Sequence, residues 1–226
     1  MSFKTELHCH SAEFSWCSHQ SGADKAEMYI DNGYTTVVLT NHFCPYYPDH
    51  KDHPKFVRDF FEAADVMREA AGGRLNVLTG MELTFKENGN DYLIYGMTEE
   101  LLLSIPDVLD MGMRKFYAWA EEHGVLMIQA HPLRFGIATK EPWYLHGIEV
   151  YNASHDNFCN RAAELWADLY DREYNHDGRR FIRTSGSDHH SVGQWANAGI
   201  ETDSEIRDMA QLVDVLKSGE YRLLRG

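Results

Sequence analysis

Two histidines separated by one residue, His8 and His10, stand in the opening stretch Thr5-Glu6-Leu7-His8-Cys9-His10. In an extended strand alternate side chains share a face, so both imidazoles point one way and Cys9 the other. Two imidazoles on one face can grip one metal ion, yet they supply only part of its coordination shell. The rest of the chain keeps placing His, Glu or Asp just after short apolar runs: His42, Glu82, His131, Asp188 and His190. Residues so far apart in sequence meet only where many strand ends gather at one edge. That requirement constrains the fold more than any other feature.

The stretches between these residues supply helices. Ser21, with Asp24 three residues on, reads as a helix start, and Asn32-Gly33 as its stop. A β-branched strand over 35–40 then delivers Asn41-His42. Residues 43–54 read as loop, and 55–71 as a helix halted by Gly72-Gly73. A strand over 75–79 delivers Gly80-Met81-Glu82, and 86–91 is a turn before the apolar run 92–95. A helix over 107–123 precedes the run 125–129 and Ala130-His131-Pro132. A strand over 147–151 is followed by a helix expected to turn Ala162, Leu165, Trp166 and Leu169 inward. A strand over 180–184 leads to Ser187-Asp188-His189-His190. The last helix is expected to open at the capping-box pattern Thr202-x-x-Glu205 and to bury Ile206, Met209, Leu212, Val213 and Leu216.

Alternating strands and helices predict a parallel sheet with covered faces. Polar residues at successive C-terminal strand ends favour a compact or distorted TIM-like β/α barrel of about seven strands, with its site on that rim. The doubly wound sheet is the alternative, but the chain has neither a Gly-x-Gly-x-x-Gly turn nor a P-loop. With 226 residues, 43% of them hydrophobic and without internal repeat or linker, the expectation is one domain spanning 1–226.

A formal charge of -14 weighs against a broad basic face for duplex DNA. It leaves room for a small phosphorylated substrate, with nucleic acid limited to short oligonucleotides. Bound divalent cations would offset part of that charge. Cys9, Cys17, Cys44 and Cys159 form no Cys-x-x-Cys pair and no disulfide framework, which fits a reducing cytoplasm. The first residues lack the apolar core of a signal peptide, and no run approaches the roughly 18 apolar residues of a membrane span.

Taken as an ordered set, His8-x-His10, Thr40-Asn41-His42, Gly80-x-Glu82, Ala130-His131-Pro132 and Ser187-Asp188-x-His190 resemble the polymerase and histidinol phosphatase (PHP) family over essentially the whole chain. The resemblance implies a distorted seven-stranded β/α barrel with two or three divalent ions (zinc, manganese or iron) at the C-terminal rim. It implies that His8, His10, Glu82 and Asp188 bind one ion. Glu82 then bridges to a second held by His131, with His155 as a further ligand, and His42 and His190 bind a third. The expected activity is that of a metal-dependent phosphoesterase or phosphatase, with histidinol phosphate or a nucleotide as candidate substrates. Close cations lower the pKa of bound water, neutralise phosphate oxygens and stabilise the leaving alkoxide, so no side-chain nucleophile is needed.

The family usually draws a further ligand for the third ion from the loop after His-x-His. Here that loop offers Glu13, Cys17 and His19 instead, and the familiar Thr-Asp-His has become Thr40-Asn41-His42. Glu82, Asp188 and Arg134 are the expected catalytic residues, Arg134 as the phosphate grip three residues beyond His131. Arg161 and Arg183 are weaker candidates for that grip. Glu149 and Asn152 are expected to support the ligands, His189 to face away, and Cys9 to pack behind the site. His50, His53, His123, His146 and His176 are expected to face solvent. Two other functions remain in play. One is an amidohydrolase-type C–N hydrolase, which often needs a lysine at a strand end; the other is a non-catalytic metal-binding regulatory domain.

Overall fold

The computed structural model describes residues 2–173, 178–191, 193 and 196–226, so His176 lies outside the described residues. Strand β1 (Phe3–Cys9) leads to helix α1 (Gly22–Asp31), where Ser21 Oγ accepts the Asp24 N–H at 3.1 Å. Then come β2 (Tyr34–Leu39), β3 (His42–Phe43), α2 (His53–Ala71), β4 (Asn76–Thr79), β5 (Met81–Thr84) and β6 (Asp91–Tyr95). They are followed by α3 (Glu99–Leu103), α4 (Val108–His123), β7 (Leu126–Gln129), β8 (Gly147–Asn152), α5 (Asn157–Glu173) and β9 (Ile182–Gly186). The chain ends with β10 (Ala198–Thr202), α6 (Met209–Ser218) and β11 (Arg222–Arg225).

The strands form two sheets, in the orders β11-β10-β1-β2-β4 and β3-β5-β6-β7-β8-β9. Two seams connect them. On one side β2 runs on into β3 and β4 into β5, with Gly80 N–H donating to the Leu39 carbonyl and Glu82 N–H to that of Asn41. On the other, a parallel bridge pairs Cys9 with His189, and Asp188 N–H donates to the His8 carbonyl at 2.8 Å. Leu7 and Val38 from the first sheet share a buried cluster with Leu93, Ile128 and Ile182 from the second. The two sheets therefore enclose common apolar side chains, which is the main reason they stay together.

The sheets are mixed rather than wholly parallel. β6 runs antiparallel to both β5 and β7. The turn between β5 and β6 is too short for a parallel crossover, which needs a dozen residues or more, so only a hairpin is open to it. β10 and β11, which the sequence reading missed, extend the β1 edge in antiparallel fashion.

Other expectations need correction. Thr202 ends β10 and caps no helix; α6 starts after Asp208, whose carboxylate accepts the Gln211 N–H at 2.8 Å while Gln211 Oε1 accepts the Arg207 N–H at 2.9 Å. The cap thus lies six residues beyond Thr202. Helix α5 turns Ala163 and Ala167 inward with Trp166 and Tyr170 beside them, leaving Leu165 59% and Leu169 40% exposed. Small alanines let this helix lie close on β8. Within α4 the helical path is broken at Gly112 (φ 71°), where the Met113 N–H donates to Glu87 Oε1 and any Cβ would strike that carboxylate. No helix of the described residues is long and apolar enough to cross a membrane.

Close strand approach makes a test of this packing. A Cβ on Gly147 would lie 2.1 Å from the Ile182 carbonyl oxygen, whereas one on Gly89 would meet nothing within 4 Å. Gly147→Ala is therefore expected to lower unfolding stability by about 2–4 kcal/mol and Gly89→Ala by no more than about 0.5 kcal/mol, measured by urea denaturation. Equal effects at the two positions would refute the β8–β9 packing described.

Candidate metal centre

The site begins with an irregularity in β1. Glu6 pairs with Val37 and Cys9 with Leu39, so three residue steps on β1 oppose two on β2. Such a bulge re-aims side chains. Glu6 Oε1 accepts N–H groups from Leu7 (3.0 Å), His8 (3.0 Å) and Ser187 (2.9 Å), while the Tyr29 hydroxyl donates to Oε2 at 3.2 Å. Glu6 is thereby held on the α1 side of the strand. Leu7 joins the shared apolar cluster, and His8 and His10 face Glu82 and Asp188.

Glu82 and Asp188 are the centre of the cluster. Glu82 Oε1 lies 3.5 Å from His8 Nε2 and 2.9 Å from His131 Nε2; its Oε2 lies 3.3 Å from His10 Nε2 and 2.9 Å from His42 Nδ1. Asp188 Oδ1 lies 3.4 Å from His8 Nε2, 3.3 Å from His10 Nε2 and 3.3 Å from His190 Nδ1, and its Oδ2 is 3.9 Å from His155 Nε2. His8, His10, Glu82, His131 and Asp188 are all buried. Burial alone would push both carboxyls up, but the surrounding imidazoles, His42 and His8 for Glu82 and His8 for Asp188, hold them well below the usual carboxylate range.

Neighbouring groups set which imidazole nitrogen faces inward. His8 Nδ1–H donates to Glu149 Oε1 at 2.9 Å, leaving Nε2 toward the two carboxylates. Glu149 Oε2 also accepts the His131 N–H at 2.8 Å and an Asn152 amide hydrogen at 2.9 Å; the same Asn152 amide reaches Asp188 Oδ2 at 3.3 Å. Ser15 Oγ accepts from His10 Nδ1 and from the His42 N–H, and donates to Asn41 Oδ1 at 2.8 Å. Asn41 also accepts the Ser11 N–H at 2.8 Å, so it pins the loop after β1.

These residues fit divalent cations. His8 Nε2 and His10 Nε2 are buried without a hydrogen-bond partner. Orphaned groups of this kind cost about 1–3 kcal/mol each unless something binds them. The separations of 3.4 Å and 3.3 Å from Asp188 Oδ1 to His8 Nε2 and His10 Nε2 match the edge of about 3.3 Å expected between donors that each stand about 2.0–2.1 Å from one tetrahedral ion, while Glu82 turns a different oxygen to each imidazole. Among the described residues, donor atoms lie within 4.8 Å of one another in four groups: His8–His10–Asp188, His8–Glu82–His131, His10–His42–His190 and His42–Glu82–Asp91.

Two of the candidate ligands sit on backbone in the left-handed region, His131 at φ 24° and Asp188 at φ 51°. Such strain costs about 1–3 kcal/mol per residue and persists where the surroundings over-determine it. Here the bonds from His131 N–H to Glu149 and from Asp188 N–H to His8 provide that restraint.

The remaining expected residues separate clearly. His155 sits beside His131, with ring centroids 5.3 Å apart. Arg134 is exposed on the same rim, where its charge bears on His155. Arg183 instead pairs with Asp168 (2.6 Å) and Asp171 on α5, and Arg161 is exposed on that helix. Both carboxylate oxygens of Glu13 accept the Gly22 N–H at the start of α1, and His19 is exposed. Cys17 lies beside His42 and His190; burial pushes its thiol up, but the two imidazoles outweigh this and bring it down to about 6. His189 is buried and turned toward Lys25 of α1, and Cys9 is fully buried with Sγ near the Val38 carbonyl.

The histidines expected to face solvent need correction. His146 is only 9% exposed in its side chain, accepting the Met127 N–H at Nδ1 and meeting Glu121 at Nε2. His50 and His53 are half-buried, and His123 is exposed. Sequence reasoning also missed Asp91, whose carboxylate stands 3.8 Å from His131 Nε2. Because β6 runs antiparallel, its first residue lies on the rim where the other strands present their last. The short turn before it was the available signal.

An α/β fold of mixed sheets, with His, Asp and Glu side chains converging from strand ends, is the class that these features define. The sequence matches no protein-family model and no curated protein. Several solved structures share the fold. One is a two-domain protein from Bacteroides vulgatus containing a predicted PHP-like metal-dependent phosphoesterase, at TM-score 0.66 and 18% identity; it is matched over 100% of this chain and 65% of its own length. This chain therefore spans less than two thirds of that protein. PsfC from Pseudomonas syringae has TM-score 0.66 and 17% identity, over 100% of this chain and 92% of its own. An amidohydrolase from Chromobacterium violaceum, with bound sulfate and no metal, has TM-score 0.53 and 15% identity, over 97% and 98%. The PHP resemblance of the motifs thus has a counterpart in three dimensions, and at these identities the likeness carries the fold.

Glu149 offers a test that spares the candidate ligands themselves. Glu149→Ala removes the acceptor of His8 Nδ1–H and of the His131 N–H, and is expected to weaken divalent-ion binding about 10- to 100-fold. Competition with a chromogenic chelator measures this, with circular dichroism as the check on folding. Unchanged affinity in a folded variant would show that orientation of His8 contributes nothing.

Proposed function

We propose that this chain is a metal-dependent phosphoesterase that hydrolyses a small phosphomonoester at a di- or trinuclear centre. The observation carrying this reading is the convergence of unpartnered, buried imidazole nitrogens on Glu82 and Asp188. On this reading His8, His10, Glu82 and Asp188 hold one cation. His131 and His155 hold a second, shared through Glu82, and His42 and His190 a third. Zinc, manganese and iron all suit this donor set. Divalent cations bound there supply Lewis acidity, which acidifies water and neutralises phosphoryl oxygens.

The chain's own groups do the rest. Glu82 directs one carboxylate oxygen toward His8 and His131 and the other toward His10 and His42, a bridging disposition that tolerates two close positive charges. The Asn152 amide donates to Asp188 Oδ2 at 3.3 Å and fixes the orientation of that carboxylate as a ligand. Arg134 stands on the exposed rim for bidentate contact with phosphate. The two seams between the sheets and their shared apolar cluster support reading the strands as one distorted seven-stranded barrel, with this centre at its rim. The acidic chain favours a small substrate over extended nucleic acid, and the cysteine pattern favours the cytoplasm.

The amidohydrolase likeness supports C–N hydrolysis as a second reading. Among the described residues the ion-pair partners of Glu82 and Asp188 are imidazoles and none is a lysine, which favours the phosphoesterase.

Purified chain loaded with Zn²⁺, Mn²⁺ or Fe²⁺ and offered an aryl phosphate, a phosphomonoester panel and an amide panel decides between them. Phosphomonoester turnover lost to a chelator and restored by a divalent ion is the expected result. Glu82→Ala and Asp188→Asn are each expected to lower kcat by about three orders of magnitude. Amide turnover alone would assign the second reading, and an ion-loaded protein without turnover would make this a binding domain. Arg134→Ala is expected to raise KM about tenfold with little change in kcat, read from initial rates on the best phosphate ester.

A further inference from the structure

Resting on the reading of this cluster as a metal centre, we infer that Asp91 is a carboxylate ligand of the ion held at His42, where it joins Glu82 from the neighbouring strand. The motifs that carry the family resemblance include no residue of β6, so this donor is an addition of this chain.

Strand pairing places the residue. In the β5–β6 hairpin Asp91 lies opposite Thr84, two residues beyond Glu82 on β5, so its side chain shares the face that carries Glu82. The Asp91 carbonyl accepts the Ala130 N–H at 3.0 Å, which ties the start of β6 to the end of β7 just before His131. The Thr84 hydroxyl donates to Asp91 Oδ1, while Oδ2 stands 3.8 Å from His131 Nε2. One oxygen is anchored, and the other is turned toward the histidines.

Two features mark this carboxylate as a ligand rather than a surface acid. Donor atoms of His42, Glu82 and Asp91 all lie within 4.8 Å of one another, with His42 Nδ1 2.9 Å from Glu82 Oε2. The Asp91 side chain is also only 17% exposed, and its one ion-pair partner among the described residues is the His131 imidazole. Two sheltered carboxylates as close as Glu82 and Asp91 repel each other unless a cation or a proton stands with them. The loop after β1 does not supply the missing donor through Glu13 or His19: Glu13 is taken by the Gly22 N–H at the start of α1, and His19 is exposed.

A second carboxylate changes what this position selects. With Glu82 and Asp91 beside a single imidazole it is richer in oxygen than the place where His8 and His10 meet Asp188. Carboxylate oxygens suit manganese(II), whereas paired imidazoles suit zinc.

Manganese(II) titration read by electron paramagnetic resonance tests this, because the free aqueous ion gives a six-line signal that is lost on binding. Asp91→Asn keeps the size of the side chain and an oxygen to accept from Thr84. It is expected to weaken one manganese ion about 10- to 100-fold while circular dichroism stays unchanged. Asp91→Ser, smaller and also uncharged, is expected to behave alike. In a His42→Ala background, where that ion is already lost, Asp91→Asn is expected to change nothing further, whereas in a His131→Ala background its effect persists. Manganese binding by Asp91→Asn equal to that of the unaltered chain, or a loss that adds in full to that of His42→Ala, would overturn the assignment of Asp91. Chelator-sensitive phosphomonoester turnover would then leave the phosphoesterase reading standing. A chain that binds no divalent ion at all would overturn both.

Discussion

Glu6 is a fully buried carboxylate whose Oε1 gathers three backbone N–H groups, two from β1 and one from Ser187 beyond β9. Its desolvation is the largest influence on it and raises its pKa, while the N–H donors act in the opposite direction. Hydrogen bonds to a charged group are worth about 1.5–3 kcal/mol each, so they offset part of a burial cost of several kcal/mol, and desolvation still prevails. What they secure is geometry. The bulge that turns His8 inward and the backbone that presents Asp188 hang on the same oxygen, so the two ends of the chain are registered against each other at the site.

That registration explains how much of the centre was legible. Strand-end placement after apolar runs brought out His8, His10, His42, Glu82, His131, Asp188 and His190, because a strand delivers its next residue to the rim whatever its partners are. Simple alternation, however, would put Glu6 on the same face as His8 and His10. It lies behind the strand because of a one-residue bulge whose cause, the Ser187 N–H, sits 181 residues away. Asp91 escaped for the opposite reason: only its strand's direction places it on the rim, and direction is a property of sheet topology. The misjudged face of α5 and the misplaced cap of α6 have local causes, since both rested on choosing among neighbouring residues of similar type.

Close packing behind the ligands limits what they can do. A Cβ on Gly186 would stand 2.3 Å from His8 Cβ and 2.7 Å from Glu149 Oε1. Glycine there lets β9 come close enough for Glu149 to meet His8 Nδ1–H from the neighbouring strand. On the other side of β1, Lys25 Nζ reaches the His189 carbonyl at 2.7 Å, and the Tyr29 hydroxyl links Glu6 to Ser187 Oγ. Helix α1 is thereby tied to the same seam. A displacement of any one of these elements is felt at His8, which has no slack to absorb it.

Glu82, Asp188 and Glu149 place three carboxylates in a nearly water-free pocket with imidazoles packed against them. Protonating the imidazoles would balance the charge, but His10 faces His42 and His190 at stacking distance; burial and then His42 hold its pKa well below the ordinary histidine range. A proton therefore serves His8, against Glu149, better than it serves His10. Divalent ions resolve the conflict, since they neutralise the carboxylates while using neutral imidazole lone pairs. Because the pocket exists only once β1 and the segment after β9 have met, ion binding and closure of that seam stabilise each other. The apolar core and Glu6 hold this strained, charge-crowded site in place.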